Sequence, residues 1–381
     1  MSVLAYPGRV SLPVLLAVFL GASSFGSEPS RAQTTCLDGA VTPGACVVVP
    51  NDPIAGFVRT NGDGYTVDNS GSVGSSIRTS GANSSVTNSG SSGGNVQTYG
   101  NNSSVTNSGS IGTHIYTEGQ NSSVMNSGSV GDEIYTRGIN SSVMSAGSVG
   151  ARIRTVSANS SVTNSGSVGT DVQTSGENSG VNNSGSVGNS IQTIGSNSSV
   201  TNTGSIGYEI FTSGRNSGVI NSGSVNGPIN TKDVGSDIFN SGSAESLGTT
   251  GNRSNIANSG SVGSLVYTRG TNSAVTNSGS VGAGTGLDGI YISGRNPTLT
   301  LLPGSVIQGN LEMSTNGTRT LNVGNGLSVA LTFAEGTGID VDPAGVPTTI
   351  NTFGAPYAVS GNQVVVVDPT SLAMQDEVVT D

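Results

Sequence analysis

The chain is poor in most of what a conventional site is built from. Of its 381 residues only 9% are charged, the formal net charge is −10, there is one histidine and there is no tryptophan. Thirteen Lys and Arg against 23 Asp and Glu exclude a nucleic-acid binder, whose footprint is a basic face. Long apolar runs are missing beyond the N-terminus, so no later segment could cross a bilayer as a helix. With so few charges, the surface must consist largely of hydroxyl and amide groups. Nothing in the residue inventory implies a metal site or a cofactor.

What is present is repetition. The marker N-S-G-S-V-G, with small variations, starts at 69, 88, 107, 126, 145, 164, 183, 202, 221 and 240, with the same step of nineteen each time. Further starts fall at 258 and 277, and a variant, L-P-G-S-V-I, begins at Leu302. Self-similarity at this period marks a solenoid, in which each repeat is one coil stacked on the next.

A repeat of nineteen is too short for a helix pair, and its chemistry is that of strands. Numbered from the Asn, position 5 is aliphatic (Val73, Ile111, Val130), as are position 9 (Ile77, Val96, Ile115, Ile134) and position 18 (Val86, Val105, Val124). These β-branched residues are separated by Gly, Ser and Asn turns. Position 11 is nearly always Thr and shares a face with position 9. The expected fold is therefore all-β: a parallel β-helix with like strands stacked about 4.8 Å apart. A dozen such coils span roughly 58 Å. Gly at positions 3 and 13 suits turns with positive φ, and the Asn at position 1 can form a side-chain ladder. Low-complexity disorder is the alternative for such a composition. It does not require aliphatic residues in three fixed columns.

Residues 1–32 read as a secretory signal peptide: Arg9, an apolar run, then Ser30-Arg31-Ala32 as a small-x-small cleavage site. The only cysteines, Cys36 and Cys46, follow at once, and two cysteines ten apart in an exported chain read as a local disulfide. Residues 33–68 are then a stapled N-terminal cap, residues 69–296 the regular repeats, and residues 297–345 wider coils reaching to about Phe333. Residues 346–381 form a linker with an edge-like apolar strand at 364–367 and a possible helix start at 371–381.

Three features carry a family resemblance: the signal peptide, the V-x-N-S-G-S-V/I repeats, and the ending LLPGSVIQGNL…LNVGNG…YAVSGNQVVVVDPTSLAMQDEVV. With them the chain resembles the passenger of autotransporters, the type V secretion proteins of Gram-negative bacteria. The resemblance implies a right-handed parallel β-helix displayed outside the outer membrane or released from it. It also implies a C-terminal translocator barrel, but the sequence stops at Asp381 with no amphipathic barrel strands.

Candidate chemistry lies on the outward positions. Position 8 gives His114, Glu133, Arg152 and Asp171 in successive coils, a column that a polysaccharide lyase or hydrolase could use. It reads better as an alternating charge ladder, and no enzyme activity is expected. Position 10 presents Arg78, Gln97, Tyr116, Tyr135, Arg154, Phe211, Tyr267 and Tyr291. Of these, Tyr116, Tyr135, Arg154, Phe211, Tyr267 and Tyr291 are the candidate contact residues of a weak, multivalent, adhesin-like surface, its partners being surface glycans, surface proteins or another copy of the chain. Cross-strand stacking that merely stabilises the sheet, or a purely structural stalk, would use the same residues. The triplets at Asn83, Asn102, Asn121, Asn140 and Asn159 match glycosylation acceptors but read as turns. The G-x-S-x-G match at 90–94 and the G-x-G-x-x-G match at 284–289 lack the strand-to-helix setting that their mechanisms need. The coils at 221–258 and the insertion at 283–288 break the pattern.

Overall fold

The computed structural model describes residues 34–369 except 40, 43, 283–287, 315 and 334–347. The expected signal peptide at 1–32, the expected helix start at 371–381 and nearly all of the insertion at 283–288 lie outside the described residues. The chain is an all-β solenoid of parallel sheets. Each regular coil contributes three short strands, as in Ser72–Val73, Ile77–Ser80 and Ser85–Asn88. We call the sheets they build the serine–valine, isoleucine–threonine and valine–asparagine sheets. Each strand pairs in parallel with its equivalent one repeat further on: Val73 with Ser92, Val96 with Ile115, Val86 with Val105.

The aliphatic columns face inward as their period requires. Val73, Ile77, Val86, Ile115, Val124, Val130 and Ile134 are buried, and with their equivalents they form one continuous core. Three polar columns are buried with them, one being the turn serines Ser84, Ser103, Ser122 and their equivalents. The position-11 threonines, Thr79 to Thr268, lie inside, and the hydroxyls of Thr79, Thr98, Thr117 and Thr136 have no hydrogen-bond partner. The position-1 asparagines form an internal ladder: Asn88 Nδ2 donates to Asn107 Oδ1 at 2.7 Å, and Asn107 donates to Asn126 at 2.8 Å.

The turns explain the small residues, with one correction. Gly at position 13 has positive φ in most coils, as in Gly100 at +150°, though Gly138 and Gly270 do not share it. Gly at position 3 does not. A Cβ at Gly109 would lie 2.0 Å from the carbonyl oxygen of Gly90, so only glycine lets adjacent coils approach closely enough there. The left-handed residue of the turn is instead the Asn of the N-S-S triplets: Asn83, Asn102, Asn121 and Asn159 have φ of 56–57° and Asn140 has 60°. Asn tolerates that region better than other side chains. The same amides form a second, exposed ladder, with Asn102 donating to Asn83 at 3.1 Å.

At the N-terminal end, Cys36 and Cys46 are joined in a disulfide. Thr34–Thr35 pairs in parallel with Cys46–Val48, which pairs with Thr66–Asn69, so this stapled segment extends the valine–asparagine sheet. Toward the C-terminus the wider coils carry leucines into the same core: Leu299, Leu311 and Leu321. Thr348–Asn351 pairs in parallel with Arg319–Val323. The apolar strand expected at an edge is central. Gln363–Val366 pairs antiparallel with both Val329–Thr332 and Tyr357–Ser360, and buries Val364 and Val366.

Candidate binding face

The outward position-10 side chains stand on the isoleucine–threonine sheet, between the buried columns at positions 9 and 11. The parallel register stacks them one coil apart: Gln97 beside Tyr116, Tyr116 beside Tyr135, Tyr135 beside Arg154. About 4.8 Å between strands is close to the spacing that offset or tilted aromatic rings prefer. The ring centroids of Tyr116 and Tyr135 are 5.4 Å apart at an interplanar angle of 36°.

A residue that the position-10 pattern misses extends this stack. Tyr99, at position 12, stands two residues beyond Gln97 and so on the same face. Its ring centroid lies 5.6 Å from that of Tyr116, filling the aromatic gap at Gln97, and its hydroxyl donates to Gln97 Oε1 at 3.3 Å. Arg78 closes one end, with its guanidinium 4.3 Å from the Tyr99 ring centroid. Arg154 closes the other, 5.6 Å from that of Tyr135. Five successive coils thus contribute Arg78, Tyr99, Tyr116, Tyr135 and Arg154 to one cation-capped aromatic stack.

Electrostatics pin its middle. The Tyr116 hydroxyl donates to Glu118 Oε2 at 2.9 Å. Burial first, then the Glu118 carboxylate, push the Tyr116 phenol up from 10.0 to about 12. Beside the stack is a depression of about 200 Å³ lined by Asn95, Gln97, Tyr99, His114, Tyr116, Glu133 and Tyr135.

The position-8 column borders that depression, but it is not an evenly alternating ladder. Arg152 Nε lies 3.0 Å from Glu133 Oε1, and Arg152 Nη2 donates to Glu133 Oε2 at 3.4 Å. His114 pairs off-column: its Nδ1 lies 3.4 Å from Asp132 Oδ2, without hydrogen-bond geometry. Asp171 turns away to accept hydrogen bonds from Asn189 Nδ2 at 2.9 Å and Ser190 N at 3.2 Å. The local reason is that positions 7 and 8 lie at the turn into the strand, where a side chain can reach either neighbour.

The other candidate residues do not join the stack. Gln173 and Gln192 stand between Arg154 and Phe211, and Phe211 lies under Lys232, whose Nζ is 4.9 Å from the ring centroid. Tyr267 lies across Gly248, where a Cβ would come within 2.2 Å of its ring, and its hydroxyl donates to Asn230 Oδ1 at 2.9 Å. Arg269 sits 5.3 Å from the Tyr267 centroid, and Tyr291 follows in backbone register. Tyr116, Tyr135 and Arg154 are therefore brought together, whereas Phe211 and the Tyr267–Tyr291 pair form separate groups.

Among the described residues no group of three or more His, Cys, Asp or Glu could hold a metal ion. The G-x-S-x-G match at 90–94 occupies the strand Ser91–Ser92 and its turns, with no helix after it. No protein-family model, curated protein or solved structure matches the chain, so the fold rests on the chain's own geometry.

Proposed function

We propose that this is an exported, non-enzymatic surface protein of the autotransporter-passenger kind, whose solenoid makes weak repeated contacts with glycans or proteins on other surfaces. The observation that carries this reading is the Arg78–Tyr99–Tyr116–Tyr135–Arg154 stack beside a shallow depression. Tyr and Arg are the side chains that dominate binding energy at interfaces. Here they are immobilised before any partner arrives, which lowers the entropy lost on contact. The signal peptide and the repeat-and-ending resemblance support export through an outer-membrane barrel. Against an enzyme acting through the position-8 column stands its geometry: the Glu133 carboxylate is held by Arg152, and His114 Nδ1 makes no hydrogen bond to either neighbouring carboxylate. Glu133 is not poised as a free general base.

The test is adhesion of cells displaying the chain on a supplied barrel. Simultaneous Tyr99→Ser, Tyr116→Ser and Tyr135→Ser changes leave every inward column untouched. Avidity from several weak contacts can exceed a single contact by roughly 10²-fold or more, so the triple variant is expected to lose most adhesion while keeping its β circular dichroism. A triple variant that folds and adheres like the parent would reduce the stack to sheet stabilisation.

A further inference from the structure

A different face, the outside of the valine–asparagine sheet, carries its own pattern. Its outward residues are the first and third of each strand, as in Ser85 and Thr87. From Ser85–Asn88 through Gly218–Asn221 neither outward column holds a charge, although Asp68 and Asp237 stand just beyond. In the third-residue column Thr and Asn are expected on a solvated sheet. Instead Met125, Met144, Ile220 and Phe239 stand there, 48, 48, 54 and 52% exposed.

Their placement is symmetric. Met125, Met144, Thr163, Asn182, Thr201, Ile220 and Phe239 follow one another in unbroken parallel register. Asn182 stands midway in sequence between Met144 and Ile220, two coils from each. It also stands midway between Met125 and Phe239, three coils from each.

We infer that this face packs antiparallel on the same face of a second copy, about a two-fold axis through Asn182. That operation places Met125 against the partner's Phe239 and Met144 against the partner's Ile220, and repeats both contacts on the other side of the axis. It is the isologous arrangement that a closed two-fold dimer requires. A shift by one coil keeps only one of the two contacts, Met125 with Ile220 or Met144 with Phe239, and opposes the remaining residues to Thr or Ala. A parallel in-register pairing would instead set Met125 against the partner's Met125, an arrangement that cross-linking distinguishes. Methionine suits such a contact because its unbranched thioether adapts to the opposing surface.

Charge and area agree with a weak, reversible pairing. The chain carries a net −10, yet copies meeting on this face bury none of it between Ser85 and Asn221. Asp237, beside Phe239, folds its carboxylate onto Asn255, accepting from N at 2.7 Å and Nδ2 at 3.1 Å. Nine coils centred on Asn182, at about 4.8 Å per coil and about 13 Å per strand, offer roughly 550 Å² per copy. About 1,100 Å² for the pair is the low end of specific interfaces, so association is weak in solution and grows when many copies share a surface.

Cysteine cross-linking tests the register, because the chain's own two cysteines are already bonded to each other. Within one chain, positions 125 and 239 are six coils and about 29 Å apart, too far for a disulfide. Under mild oxidation the double variant Met125→Cys/Phe239→Cys is expected to give covalent dimers whose mapped peptides join 125 to 239 of the partner. Met125→Cys alone is expected to stay uncross-linked at the same concentration. Linkage of 125 to 125, or monomers throughout for the double variant, would overturn the proposal. In sedimentation, Met144→Ser/Ile220→Ser is expected to weaken self-association at least tenfold without moving the thermal midpoint. The Tyr99/Tyr116/Tyr135 triple variant is expected to leave self-association unchanged, which separates this face from the aromatic one.

Discussion

Asn69 donates its side-chain amide to Asn88 Oδ1 at 2.6 Å, with both residues fully buried. The relationship recurs from coil to coil, and each amide also donates to a backbone carbonyl, as Asn69 does to Ser91 O at 3.0 Å. Once, it is broken. Position 145 is Ser, which accepts from Asn126 Nδ2 at 3.3 Å but cannot pass an amide on, and the Oδ1 of Asn164 in the next coil is buried without a partner.

Ser145→Asn is therefore expected to complete the ladder and raise stability by about 1 kcal/mol, the net value of a buried hydrogen bond with its orphan satisfied. Asn107→Ala does the reverse, removing the shortest acceptor of the Asn88 amide and stranding Asn126 Oδ1, and should cost about 1–3 kcal/mol. Denaturant unfolding of both variants checks the pair; a neutral Ser145→Asn would show that the interruption carries no penalty.

The threonine column makes the opposite prediction. Thr117 is buried and its hydroxyl has no partner, so the group bears a desolvation cost without a bond. Thr117→Val keeps the shape and the β-branched fit while removing that hydroxyl. It is expected to be neutral or to stabilise by about 1 kcal/mol, read from the unfolding midpoint. A loss of about 2 kcal/mol or more, the size of a broken buried hydrogen bond, would mean that the hydroxyls bond one another along the column.

Alkaline pH should act through Tyr116. Its phenol is raised to about 12 in the folded chain by burial and by Glu118, above the ordinary value of 10.0. Folding thus favours the protonated phenol: that contribution is complete below pH 10 and is lost as pH rises through about 12. The thermal midpoint of the parent should fall more steeply across that alkaline window than that of Tyr116→Phe. Parallel curves would assign the alkaline loss to other groups.

Much of this was legible because one rule repeats. A period of nineteen with β-branched residues at three fixed positions admits few folds besides a solenoid, and inward and outward faces follow from alternation alone. Parallel in-register stacking then puts every residue beside its own copy, so the ladder at Asn69 and the Tyr116–Tyr135 contact follow from counting. Cys36 and Cys46 were close enough in sequence to be paired without a structure.

The structure decided whatever depended on side chains leaving their own column. Tyr99 crosses from position 12 into the stack because Gln97 leaves room for its ring. His114 chooses Asp132 over Glu133, since Arg152 already occupies that carboxylate. Tyr267 lies down over Gly248 to reach Asn230, two coils away. The strand Gln363–Val366 is central because Val329–Thr332 and Tyr357–Ser360 both meet it, a long-range pairing with no periodic signal. The repeat determines through local geometry which residues become neighbours. Packing determines which neighbours touch, because that depends on the space and charge that each coil's exceptions leave to the next.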